Sequence, residues 1–159
     1  MTDDARFADG ADRPLRLRAM DAADLQVISS LVQDAVFPIA EMRWDRRRRR
    51  FGLLVNRFRW EDAAAAARRR RPFERVQSVL AIEDVMAVRT QGIDRGDPDL
   101  VLSLLEIGLE AQGEVGGRLI LTLAGDGAIA LEVEALEVTL RDVTRPYEAP
   151  SGHRPEHPG

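Results

Sequence analysis

Between Leu119 and Val133 the chain alternates apolar and polar residues on both sides of a Gly125-Asp126-Gly127 turn, and no other stretch constrains the fold as much. Leu119, Leu121 and Leu123 share one parity, as do Ile129, Leu131 and Val133. A period of two belongs to a strand with one face on a core, because successive side chains point to opposite faces of a sheet. A two-residue Asp126-Gly127 turn would put the two apolar sets on opposite faces. A three-residue loop with Gly127 left-handed pairs Leu123 with Ile129, Leu121 with Leu131 and Leu119 with Val133, and sets Arg118 opposite Glu134. That is the expected register. Just beyond it the apolar parity flips from odd at Val133 to even at Leu136, Val138 and Leu140. One extra residue must be absorbed near Glu134-Ala135, by a bulge that bends a long strand or by a tight break.

The rest of the chain has the same texture. Leu15, Leu17 and Ala19 alternate with Arg16 and Arg18 as a short strand. Asp21 then reads as the N-cap of a helix whose apolar stripe is Leu25, Ile28, Leu31, Val32, Ala35 and Val36. Pro38 limits that helix, which is expected to stop between Gln33 and Phe37. A hairpin follows: a strand over 41–44, a polar loop from Asp45 to about Arg50, and a strand from Phe51 to Trp60. Phe51, Leu53 and Val55 are expected on one face of that second arm, with Leu54, Phe58 and Trp60 on the other. The alanine-arginine segment from Ala63 to Arg71 suits a short helix, with acids before it and Pro72 beyond, although a mobile loop is the alternative. Val76 to Ile82, Val85 to Gln91 and Leu100 to Leu109 read as further strands. Asp94 to Asp99 is a turn, and its Arg-Gly-Asp triplet is a chance loop sequence.

These elements predict an α+β domain: a mostly antiparallel curled β-sheet or roll of roughly seven to nine strands, with one packed N-terminal helix. Residues 1–13 read as a disordered leader, 14–144 as one globular domain, and 145–159 as a disordered tail. The 159 residues hold no cysteine and no lysine, and the only histidines are His153 and His157. Thiolate chemistry, a phosphate-loop lysine, a Schiff base and a core histidine base are thereby excluded. No catalytic residue, cofactor or metal site is assigned. The acidic start and the lack of a long apolar run point to the cytoplasm and away from a membrane.

Three stretches carry a family resemblance: Leu25 to Val36, Leu54 to Glu61, and Leu131 to Leu136. Together they resemble the bacterial family known as domain of unknown function 2948, over roughly residues 15–144. Asn56-Arg57-Phe58-Arg59-Trp60 is the most distinctive block, and the Ala63 to Arg71 insert looks peculiar to this chain. The resemblance implies a fold shared by small cytosolic proteins and brings no catalytic residues with it.

The charge is unevenly spread. Residues 1–42 carry a net −4, residues 43–75 carry 13 arginines against 4 acids, and residues 76–159 carry a net −9. The basic middle supplies the candidate site. Arg46, Arg47, Arg48, Arg49 and Arg50 lie in the hairpin loop, and Arg57 and Arg59 on the strand after it. Trp44, Phe58 and Trp60 stand nearby as stacking candidates. On this reading the chain is a non-enzymatic binding or adaptor module whose arginine-rich hairpin meets an anionic protein or nucleic acid. The competing explanation pairs these arginines with the acidic C-terminal half and buries the aromatics. An alternative function is a small-molecule anion binder around Arg57 and Arg59, with weak hydrolytic chemistry from Glu132, Glu134 and Glu137.

Overall fold

The computed structural model describes residues 13–149 and residue 155. The strands are β1 (Arg16–Ala19), β2 (Val36–Pro38), β3 (Met42–Asp45), β4 (Arg50–Phe58), β5 (Glu74–Ile82) and β6 (Val85–Gln91). The others are β7 (Val101–Gln112), β8 (Gly116–Leu123), β9 (Ala128–Val133), β10 (Val138–Asp142) and β11 (Tyr147–Glu148). The helices are α1 (Ala22–Leu31) and α2 (Trp60–Arg68). All strand pairings are antiparallel, and eleven strands join in one sheet ordered β1-β10-β5-β4-β2-β7-β8-β9-β6, with β3 beside β4 and β11 beside β5. The sheet does not close into a barrel, and beside the N-terminal helix the short helix expected over Ala63 to Arg71 forms three residues earlier, as α2.

The three residues of β2 connect the two halves of this sheet. Val36 pairs with Asn56 of β4 on one side and with Ser103 of β7 on the other. Helical spacing had assigned Ala35 and Val36 to the first helix, but α1 ends at Leu31, and Asp34 turns the chain with a φ of 64°. At its start α1 is capped as expected, the Asp24 amide donating to Asp21 Oδ1 at 2.8 Å. Its Leu25 and Ile28, with Val32 just past its end, enter one core cluster with residues from both halves of the sheet. Full burial of each such side chain stabilises by roughly 1.5–3 kcal/mol.

The β8–β9 hairpin keeps the expected faces but shifts in register by two residues. Leu121 lies opposite Ile129, Leu119 opposite Leu131, and Arg118 opposite Glu132 rather than Glu134. The loop is Ala124-Gly125-Asp126, closed by the Leu123 amide donating to the Gly127 carbonyl at 2.8 Å. Gly125 (φ 81°) and Asp126 (φ 68°) take the left-handed conformation that had been expected at Gly127. Beyond β9 the parity flip is met by a break: residues 134–137 leave the ladder, and β10 pairs with β1 and β5 instead. The tail expected from 145 onward is ordered at its start. Tyr147 and Glu148 pair with Arg75 and Glu74, and the Ala149 amide donates to the Phe73 carbonyl at 2.8 Å. The expected leader lies, but for Arg13, outside the described residues, as does most of the tail beyond 149.

Candidate functional site

Arg57 and Arg59, the strand's anion-binding candidates, are buried. Strand β4 ends at Phe58, so Arg59 and Trp60 belong to the start of α2. Arg57 has the parity of Phe51, Leu53 and Val55, and its side chain is 0% exposed. Its Nη2 donates to Asp142 Oδ1 at 3.0 Å and to Glu61 Oε2 at 2.8 Å, while Nε donates to Ser78 Oγ at 3.0 Å. Ser78 in turn donates to Asp142 at 2.6 Å. Burial alone would lower the Arg57 pKa, but Glu61 and Asp142 outweigh it and hold the pKa above its ordinary value. Arg59 sits among Glu74, Asp62 and Glu61. Arg71 donates twice to Asp62, at 3.0 and 3.1 Å. Although its burial opposes the shift, Asp62 is held below the ordinary aspartate range by Arg71 and Arg59.

The whole Asn56-to-Glu61 block is bonded in this way. Asn56 donates to the Tyr147 hydroxyl and accepts from Arg75 Nε at 2.6 Å. Phe58, fully buried, meets Trp60 edge-on at 4.6 Å between ring centroids and Phe73 at 5.7 Å. Trp60 Nε1 donates to the Gln33 carbonyl at 2.9 Å. Phe58 and Trp60 are therefore packing residues, which leaves Trp44 of the three stacking candidates.

The hairpin loop divides into bound and free arginines. Arg50 Nε donates to both carboxylate oxygens of Glu83, at 2.9 and 3.0 Å. Arg49 pairs with Glu134, the residue that the expected register had assigned to Arg118, and this pairing raises its pKa. Arg48 reaches Asp45 only at 4.0 Å. Arg46 and Arg47 are exposed and have no ion pair among the described residues.

Behind this loop lies a cleft of about 760 Å³. Strand β3 pairs only with β4, and β6 only with β9, so each of these two strands, both of which line the cleft, keeps one unpaired edge. At one end the Val85 amide donates to the Arg49 carbonyl at 2.8 Å. The lining is mixed: Met42, Trp44, Met86 and Val88 stand beside Thr90 and three arginines, Arg46, Arg49 and Arg95, with no carboxylate. Arg49 Nε is buried there without an acceptor among the described residues. Sequence reasoning missed Arg95, because it sits in a turn that carries no pattern and reaches the cleft only through the path of β6. Glu132, Glu134 and Glu137 do not converge: each is engaged by a different arginine, Arg118, Arg49 and Arg18 respectively. Among the described residues no group of three metal-ligating side chains gathers, and no helix is long and apolar enough to cross a membrane.

A mostly antiparallel sheet flanked by two helices, locked by a buried arginine network and open along one cation-edged cleft, defines the class of this domain. The chain belongs to the family described as protein of unknown function (DUF2948), which matches residues 15–157 and so extends past the expected boundary at 144. None of the curated proteins and none of the solved structures matches it.

Proposed function

We propose that this chain is a cytoplasmic, non-enzymatic binding module that holds an acidic, extended segment of a partner protein in the cleft between β3 and β6. The observation that carries this reading is the cleft's composition: three arginines interspersed with apolar side chains, without a carboxylate. An opposite charge at its rim would find Arg46 without an ion pair among the described residues. The two unpaired strand edges favour a peptide over a nucleic acid, because an extended backbone can add to a sheet edge while its alternate side chains pack on Met42, Trp44, Met86 and Val88. Nucleic acid lacks that backbone complement, and the stacking surface it would use has shrunk to Trp44.

The test uses a Trp60→Phe variant, which leaves Trp44 as the single tryptophan. Its fluorescence is followed during titration with a synthetic peptide of about ten residues alternating glutamate and valine, and in parallel with a single-stranded oligonucleotide of equal charge. The expected result is saturable peptide binding that weakens at least tenfold in Arg46→Gln combined with Arg95→Gln and falls with added salt. Absence of peptide binding, or tighter binding of the oligonucleotide, would overturn the reading.

A further inference from the structure

The outer face of β1, β10, β5 and β4 carries a second cationic group, which shares only Arg50 with the hairpin loop. A hollow of about 540 Å³ is bordered by Arg16 and Arg18 of β1, Arg141 of β10 and Arg50 of β4, with Val79, Ala81 and Thr139 between them. Two of the four arginines are neutralised. Arg18 Nη2 lies 2.6 Å from Glu137, and Arg50 is bound to Glu83. The other two are not: Arg16 and Arg141 are exposed and have no ion pair or hydrogen bond from their side chains among the described residues.

Arg16 and Arg141 are also directly opposite one another in the antiparallel β1–β10 ladder. Like charges in that position repel and destabilise a sheet. The ladder offers no internal compensation, since their same-face neighbours are Arg18, Thr139 and Val79. Side chains opposite one another start about 4.5–5.5 Å apart at Cβ, a span from which two guanidinium forks can close on a single tetrahedral dianion. With Glu83 and Glu137 each paired to an arginine, the unpaired positive charge of the hollow is confined to this one pair, which suits a compact ligand. We propose that this hollow binds the doubly charged phosphoryl group of a small phosphate monoester, with Arg16 and Arg141 gripping its oxygens and Val79 and Ala81 beneath its organic part. The site is separate from the β3–β6 cleft and does not depend on the reading given for that cleft.

Thermal unfolding of the full chain is measured at fixed ionic strength with increasing inorganic phosphate, glucose 6-phosphate or, as a control, chloride. The expected result is a saturable rise in melting temperature with both phosphates, larger for the monoester, and none with chloride. Arg16→Gln and Arg141→Gln should each weaken the response at least tenfold in concentration, while Arg69→Gln, at an exposed arginine outside both sites, leaves it intact. Without phosphate the two variants should melt at or above the parent temperature, because each removes one of the opposed charges. A response that survives the double variant, no saturable response in the parent, or variants that melt lower without phosphate would each overturn the proposal. Calorimetric titration of the folded variants with glucose 6-phosphate should show the same tenfold loss of affinity without any recourse to melting, and an unchanged affinity there would overturn it as well.

Discussion

Arg57 and Arg46 belong to the same hairpin and look alike in sequence, yet one is a structural residue and the other a surface cation. Arg57 points inward with Phe51, Leu53 and Val55, and carboxylates from α2 and β10 close around it. Arg46 sits at the loop, where neither strand of the hairpin can cover it. A count of arginines therefore says little about how much cationic surface a protein presents. Position within the strand alternation decides it, because a charge on the inward parity must be paired to be tolerated, whereas one at a turn is hydrated.

The contrast can be broken at its buried end first. Arg57→Ala leaves Asp142 buried without its cation and should cost about 3–5 kcal/mol, visible as a large fall in the denaturant midpoint. Asp62→Asn should cost less, about 1–3 kcal/mol, since it weakens charge-assisted bonds from Arg71. The sign of its pH dependence is set by the lowered folded-state pKa. The stabilisation is complete above the ordinary aspartate value of 3.8 and is lost as pH falls below it through the depressed value. The parent protein should therefore lose stability more steeply than Asp62→Asn in that acid range. Trp60→Phe keeps most of the packing on Phe58 but removes the bond to Gln33, with an expected cost of about 0.5–1.5 kcal/mol by chemical denaturation. Arg46→Gln with Arg47→Gln should change stability by less than about 0.5 kcal/mol. A large loss from that last pair would mean that the loop arginines are structural too, and the contrast would collapse.

Part of this was legible in the chain itself. The parity of Phe51, Leu53 and Val55 already includes Arg57, so the alternation that located the core also marked this arginine as inward-facing. What misled was extending the strand to Trp60, which set Arg57 and Arg59 side by side on one strand face as a pair that could line a pocket. The acids at 61 and 62 are the signal for the earlier end, since they suit the first turn of a helix beginning at Trp60. Nothing comparable announced β2. Val36 fits a helical stripe as well as a strand, and a three-residue strand is too short to show a period of its own. The pairing of Arg16 with Arg141 was equally hidden, although both residues were visibly on polar faces.

By itself the sequence determined which residues of β8, β9 and β10 face the core, where α1 begins, and that a hairpin joins Leu119 to Val133, because periodicity and capping are local properties of the chain. Tertiary structure decided which strands lie side by side, the two-residue offset of that hairpin, and which carboxylate meets which arginine. A slip of two residues returns every side chain to its original face, so apolar patterning cannot detect it. Arg57 and Asp142 lie 85 residues apart, and only the closing of β4, β5 and β10 into adjacent strands brings them within hydrogen-bonding distance.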